Sequence, residues 1–148
     1  PIDSHSERKS NWISNSDVVD ELKGLKAKHV MLVSDSCFSG TLLRGLEFSE
    51  DASDTDLNWI EKMRQIPGRT VMTSGNLEPV SDVGAEGHSV FAYYFLKELE
   101  ALKEPTTGDQ LFSKIKHKVQ LNAAQEPVYQ QLKNVGGEGG DFIFVRLN

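Results

Sequence analysis

The fold of this chain is decided by the stretch Lys28-His29-Val30-Met31-Leu32-Val33-Ser34-Asp35-Ser36-Cys37-Phe38-Ser39-Gly40. An apolar run, from Val30 to Val33, ends at a small polar turn that contains the only cysteine of the chain, Cys37. A short apolar run bounded by turn residues is typical of a buried strand. Open α/β sheets keep their chemistry in the loops that follow the carboxyl ends of strands. We therefore expect Cys37 to lie at the functional edge of a sheet.

Helices are predicted on both sides of this strand in the sequence. The first begins after Asn15, with Ser16 or Asp17 as its N-cap. Its apolar residues recur at helical spacing and are Val18, Val19, Leu22 and Leu25. Further helices are predicted over 41–46, from Leu57 to the Pro67-Gly68 break, from a cap at Ser89, and from a cap at Thr107 or Asp109.

Two more strands are predicted, over 69–73, ending at Ser74, and over 141–145, after a glycine-rich turn. That turn precedes a strand and lacks the lysine of a phosphate-binding loop, so we interpret it as a simple connection. The segment 125–134 is predicted to be extended or irregular. Alternating helices and strands indicate an α/β domain whose sheet is covered on both faces.

Composition limits the class of protein. The 148 residues form one domain, 1–148, with a formal net charge of −6. No apolar segment approaches the roughly 18 residues of a membrane span, and the polar N-terminus does not resemble a signal peptide. A single cysteine excludes an internal disulfide, and the acidic balance argues against nucleic-acid binding. We therefore expect a cytoplasmic protein with neither a membrane nor a nucleic-acid partner.

The segment Asp35-Ser36-Cys37-Phe38-Ser39-Gly40 resembles the nucleophile motif of the caspase-like cysteine peptidases, in particular the metacaspase and bacterial caspase-like branch. True caspases carry Gln-Ala-Cys at this place. The resemblance covers almost the whole chain. It implies a caspase-like three-layer sandwich, with a mostly parallel sheet flanked by helices on both faces. It also implies that the N-terminal strands and the catalytic histidine precede Pro1.

Cys37 has two interpretations. A lone cysteine is most often a small buried apolar residue. Its place after a strand, the neighbouring Ser36, Ser39 and Gly40, and the family motif favour a nucleophile instead. The resemblance implies that the Cys37 thiolate attacks a peptide carbonyl and that its backbone N–H helps to hold the oxyanion.

The general base is expected outside this chain, because the caspase histidine lies about 50 residues before the cysteine. His88 is the alternative within the chain, since it follows the loop after the second predicted strand. It also fits a structural residue at the start of a helix, or a wall of the substrate cleft. The other histidines, His5, His29 and His117, are expected in a polar loop, a strand start and a solvated helix face.

Four residues are predicted to bind substrate: Asp35, Ser74, Ser81 and Asp82. From sequence alone Asp35 also fits a turn-forming or capping residue. The resemblance places Asp35 in the pocket for the P1 side chain, where its carboxylate pairs with Arg or Lys. The segment Val80-Ser81-Asp82 aligns with the substrate-binding segment that carries an arginine in true caspases. Because it is acidic here, we expect specificity for basic P1 residues, with Ser81 pairing to the peptide backbone.

No cofactor is expected, and calcium is the alternative. The loop over 47–58 is acidic and fits a solvated surface or a calcium site, since several members of the metacaspase family that it resembles bind calcium. An EF-hand is excluded, because Trp59 occupies the position of the required glycine and Gln65 that of the required glutamate.

These observations predict a cysteine endopeptidase that cleaves after Arg or Lys through a Cys-His dyad, in regulated proteolysis or in a cell-death or defence pathway. Its expected partners are a peptide or protein substrate with a basic P1 residue and the N-terminal part of the same peptidase domain. A non-catalytic caspase-like scaffold or peptide-binding module is the alternative. An unrelated flavodoxin-like domain with a core cysteine is a third.

Overall fold

The computed structural model describes residues 14–35, 57–75 and 86–147, which form a mixed α/β arrangement. The elements in chain order are α1 (Asn15–Gly24), β1 (His29–Ser34), α2 (Leu57–Gln65), β2 (Gly68–Thr73), α3 (Val90–Ala101), β3 (Thr106–Thr107), α4 (Gly108–Asn122), β4 (Val128–Gln131) and β5 (Ile143–Phe144). None of the helices in these ranges is both long and apolar enough to cross a membrane. The helix predicted over 41–46 lies outside the described residues.

The main sheet has the strand order β1-β2-β4. Strands β1 and β2 are parallel, in a register that runs from His29 opposite Gly68 to Ser34 opposite Thr73. Strand β4 is antiparallel to β2, with Val128 opposite Thr73. The described sheet is therefore small and mixed, and the mostly parallel sheet that the resemblance implies stays a prediction.

The C-terminal strands differ from the sequence prediction. The segment 125–134, predicted to be extended or irregular, contributes β4 to the main sheet. The predicted strand 141–145 is reduced to β5, which pairs with the unpredicted β3 in a separate two-stranded sheet. The polar pair Gln130-Gln131 interrupts the alternation of apolar and polar residues from which a strand is predicted. Strand β4 forms here because its backbone pairs with the edge of β2.

Hydrophobic clusters lie on both faces of the main sheet. All six residues of β2 are buried, and successive side chains point to opposite faces. Val71 joins a cluster with Leu22 of α1. Met72 joins a larger cluster on the other face, whose members from α3 and α4 are Val90, Phe91, Leu111, Phe112, Ile115 and Val119. Strand β2 is therefore the centre of the described structure, with α1 on one face and α3 and α4 on the other.

The predicted cap of α1 is wrong, whereas the other two predicted caps agree with the structure. Ser14 caps α1, because its hydroxyl accepts a hydrogen bond of 3.1 Å from the Asp17 backbone N–H. This bond puts Asp17 within the first turn. Leu25 lies beyond the last turn and is 46% exposed, so it does not belong to the apolar face of the helix. Ser89 and Thr107 cap α3 and α4.

The amino end of the main sheet is held by a buried arginine. Arg69 is 5% exposed, and its guanidinium donates to the backbone carbonyls of Leu25, Ala27 and Lys28 at 2.6 to 3.1 Å. These bonds fix the connection between α1 and β1. Charged hydrogen bonds of this kind compensate for the lost hydration of a buried cation. The polar groups at this end therefore have a structural role.

Candidate functional site

Asp35 and Ser74 lie side by side at the carboxyl edge of the main sheet. The last paired residues of β1 and β2 are Ser34 and Thr73. The Ser74 backbone N–H donates to the Ser34 carbonyl at 3.0 Å, which continues the ladder one step further. Asp35 and Ser74 are the residues that directly follow these two strands, so they leave the sheet next to each other at its carboxyl edge. Two of the predicted substrate-binding residues are thus brought together.

The Asp35 carboxylate is tied to the amino end of α3. Its Oδ2 accepts a hydrogen bond of 2.6 Å from the Ser89 hydroxyl, whose Oγ accepts 2.9 Å from the Ala92 backbone N–H. One hydroxyl therefore caps the helix and holds the carboxylate. A negative charge beside a helix amino end is favourable. Asp35 is exposed, so this link lies at the surface of the carboxyl edge.

His88 lies next to this link in the chain. It precedes Ser89, is exposed, and follows a turn in which Glu86 and Gly87 have φ values of 59° and 78°. Glycine adopts such a left-handed conformation without steric cost, which explains Gly87. His88 thus enters the carboxyl edge from the loop side of α3. This place fits both the helix-start interpretation and the catalytic alternative.

Gln125 is a residue of this corner that sequence reasoning missed. It lies between α4 and β4, is 2% exposed, and its Nε2 donates to the Ser74 carbonyl at 3.4 Å. Ser74 itself is completely buried. No periodic signal in the sequence identifies Gln125. Only the pairing of β4 with β2, which starts at Val128 opposite Thr73, indicates that the preceding residues reach the end of β2.

The remaining predicted site residues, Cys37, Ser81 and Asp82, lie outside the described residues. His5 and most of the acidic loop, 47–56, do so as well. Within 14–35, 57–75 and 86–147, no group of three or more His, Cys, Asp or Glu residues is arranged to hold a metal ion.

One acidic residue close to that loop, Glu61, is engaged on α2. It forms a salt bridge of 3.0 Å with Arg64 and accepts a hydrogen bond of 2.7 Å from Gln65. The hydrogen bonds from Arg64 and then Gln65 hold the pKa of the Glu61 carboxyl below its usual value. Glu61 therefore has a local role in stabilising the helix surface.

The other two described histidines lie away from the carboxyl edge. The half-buried His29 begins β1, and its Nε2 lies 2.9 Å from the Ile66 carbonyl oxygen. This place is at the amino end of the strand that Asp35 follows. His117 is exposed on α4. Of the described histidines, His88 is the one that the fold brings to the edge of Asp35.

A second polar cluster joins the start of α4 to β4 and the residues before β5. The buried Asp141 accepts from the Tyr129 hydroxyl, from the Asp109 backbone N–H at 3.1 Å and from the Phe142 backbone N–H at 2.7 Å. Burial, followed by the Asp141 charge, raises the pKa of Tyr129 above its usual value and also that of Asp109. A Cβ at Gly108 would overlap the Tyr129 hydroxyl, so only glycine permits this approach. The cluster fixes the C-terminal segment.

Comparisons with protein-family models, curated proteins and solved structures find no match to this chain. Its function must therefore be inferred from its own residues. Those residues are the Asp35–Gly40 motif and the corner formed by Asp35, Ser74, Ser89 and Gln125.

Proposed function

We propose that this chain is the nucleophile-bearing part of a caspase-like cysteine endopeptidase that cleaves after Arg or Lys. The observation that carries the proposal is the placement of Asp35, the first residue of the motif. It immediately follows a parallel strand at the carboxyl edge, beside Ser74 and bonded to Ser89. Open α/β sheets bind their ligands outside this edge. Cys37 follows Asp35 by two residues in the sequence.

The proposed reaction is acyl transfer followed by hydrolysis. The Cys37 thiolate forms a bond to the scissile carbonyl carbon, and the oxyanion is held by the Cys37 backbone N–H. The C–N bond then breaks as the amine leaves with a proton from a histidine. Water, activated by that histidine, finally releases the acid and restores the thiol. The histidine is proposed to come from the N-terminal part of the domain, with His88 as the alternative.

The specificity for basic residues depends on Asp35. A carboxylate has two oxygens that accept hydrogen bonds, and Ser89 bonds to Oδ2. Oδ1 is thus the proposed acceptor for a guanidinium or ammonium group. The bond to Ser89 restricts the rotamer of Asp35, so less side-chain entropy is lost when a substrate binds.

Strand β1 offers a place for the proposed N-terminal part. Its apolar run is typical of a strand buried on both faces, yet in the described sheet it is an edge strand, and Val33 is 37% exposed. Edge strands with unpaired backbone groups accept a further strand. We propose that the N-terminal part of the peptidase domain pairs with β1. Protection of the β1 amides from hydrogen exchange, upon addition of that part, would test this pairing.

A labelling experiment tests the peptidase proposal. The native chain, with the N-terminal part of the domain supplied, is treated with iodoacetamide beside the urea-denatured chain, and the site of modification is read by mass spectrometry. We expect the native Cys37 thiol to react faster than the denatured one, because an activated nucleophile has a lowered pKa. Equal rates in both forms, together with no cleavage of Arg or Lys reporters when the N-terminal part is supplied, would contradict the proposal. A folded chain with that result would be a peptide-binding scaffold.

A further inference from the structure

Two buried polar atoms at the carboxyl edge have no partner within the described part of the chain. They are the Ser74 hydroxyl oxygen and the Gln125 amide oxygen. Their residues are 0% and 2% exposed. Buried polar atoms in native proteins are nearly always hydrogen-bonded, because an unpaired one has lost its bonds to water without replacement. Two such atoms on contacting residues therefore indicate a site for a polar group.

The hydrogen bond between Gln125 and Ser74 determines which kind of atom is left unpaired. The Ser74 carbonyl oxygen only accepts, so the NH₂ group of Gln125 must face it. This contact orients the amide and leaves Oε1, an acceptor, directed elsewhere. A group that satisfies Oε1 must carry a hydrogen-bond donor.

The neighbouring residue adds charge of the matching sign. Asp35 and Ser74 directly follow Ser34 and Thr73, the last pair of the β1–β2 register, and Asp35 is an exposed carboxylate. The corner thus contains a carboxylate, a hydroxyl and an amide oxygen. A guanidinium has five N–H donors and no acceptor, whereas a carboxylate side chain has no donor. The chemistry of the corner therefore fits a guanidinium and rejects an acidic side chain.

We propose that Gln125 and Ser74 bind the N–H donors of an arginine side chain, while Asp35 supplies the opposite charge. This inference rests on the proposed function and deepens it, since it makes Gln125 a specificity-determining residue. It also distinguishes arginine from lysine, because a planar fork of donors satisfies separate acceptors better than a single ammonium. The competing explanation is an ordered water that bridges Ser74 and Gln125.

The test measures binding of agmatine, a butyl chain with a guanidinium at one end and an ammonium at the other, to the full chain by NMR titration. Cadaverine, which has an ammonium at both ends and should bind more weakly, controls for the ammonium, and pentanoate is the acidic counterpart. We expect agmatine to bind and pentanoate not to bind. Gln125→Met keeps the side-chain volume but removes both polar atoms, so it should weaken agmatine binding about tenfold.

Gln130→Met is the matched control. Gln130 lies opposite Val71 and therefore on the other face of the sheet, and it too has a buried amide atom, Nε2, without a partner among the described residues. Its substitution should leave agmatine binding unchanged. If Gln125→Met does not fold, Ser74→Ala decides, because it removes the hydroxyl and leaves the Ser74 carbonyl in place; it should weaken binding severalfold.

If either Gln125→Met or Ser74→Ala binds agmatine as tightly as the unmodified chain does, the inference is overturned and the bridging water remains as the explanation. The two proposals fail in different ways. If agmatine binding depends on Gln125 but Cys37 is unreactive, the peptidase proposal is rejected and the guanidinium site is retained. If Gln125→Met still cleaves after Arg and prefers Arg over Ala reporters as strongly as the unmodified chain does, the peptidase proposal is kept and the guanidinium site is rejected.

Discussion

The Asp35 carboxylate and the Ser89 hydroxyl form a hydrogen bond of 2.6 Å that joins the end of β1 to the amino end of α3. The two residues are 54 positions apart in the sequence. Because the same hydroxyl caps the helix, the orientation of the carboxylate and the start of the helix are coupled. A change at Ser89 should therefore affect both stability and substrate preference.

Ser89→Ala should lower the free energy of unfolding by about 1 kcal/mol, because an N-cap is lost. Urea denaturation followed by circular dichroism measures this change. Ser89→Thr, which keeps a capping hydroxyl, is the matched control and should lose less. Ser89→Asp should cap the helix but place a second carboxylate against Asp35, so its deficit should grow as the salt concentration falls. An unchanged urea midpoint in Ser89→Ala would contradict the coupling.

Cys37→Ala should abolish cleavage of an Arg or Lys reporter, with the N-terminal part of the domain present, because the proposed nucleophile is removed. Its circular dichroism spectrum and urea midpoint should match those of the unmodified chain. Retained turnover in the alanine variant would exclude Cys37 as the nucleophile. Turnover by the unmodified 148-residue chain without the N-terminal part would instead assign the base to His88.

Asp35→Asn should lower kcat/KM for Arg and Lys reporters by roughly 30-fold, because a charge partner worth about 2 kcal/mol is lost once the substrate covers it. Asparagine retains an acceptor for the Ser89 hydroxyl, so the fold should be preserved. Residual cleavage after Ala should change little. Parallel assays with Arg, Lys, Ala and Asp reporters measure the preference. A preference of the unmodified enzyme for P1 Asp would refute the acidic pocket.

Tyr129→Phe should destabilise the chain by about 2 kcal/mol, because the buried Asp141 carboxylate loses a charged hydrogen bond. Tyr93→Phe is the control, since the Tyr93 hydroxyl bonds to the exposed Lys97 and its loss should cost far less. Urea denaturation of both variants gives the comparison. Equal losses in the two variants would show that the Asp141 cluster has no special weight in stability.

Asp109→Asn should stabilise the chain at neutral pH but not in acid. Burial and the Asp141 charge raise the pKa of Asp109 in the folded state above its usual value of 3.8. The folded state therefore binds the proton more tightly, and this contribution to stability, fully present below pH 3.8, is lost as pH rises through the raised pKa. Asparagine has no charge to bury. The urea midpoint of Asp109→Asn should exceed that of the unmodified chain by an amount that grows as the pH rises from 3 to 7. A difference that stays constant over this range would contradict the assignment.

Several local features could be predicted from the sequence. The apolar run gave β1, the Pro67-Gly68 break preceded β2, and the hydroxyls of Ser89 and Thr107 marked the starts of α3 and α4. These features depend on the local pattern of apolar residues and on helix capping, and both can be recognised from residues that are close in the sequence. The mixed α/β class followed from their alternation. The caspase-like arrangement of the complete sheet stays a prediction.

Tertiary structure decided the features that depend on distant partners. Strand β4 forms because β2 presents an edge, although Gln130 and Gln131 conceal its pattern. The cap of α1, in contrast, is a local choice among neighbouring polar side chains, and it falls on Ser14, three residues before Asp17.

The sequence by itself showed the resemblance of 35–40 to the caspase-like nucleophile motif and put Asp35 and Ser74 at the ends of strands. Only the fold placed those two residues side by side, bonded Asp35 to Ser89, and set Gln125 against Ser74. The physical reason is that backbone propensity and capping act over a few residues. The partner of a side chain more than 50 positions away, in contrast, is chosen by sheet register and by the packing of helices on its faces.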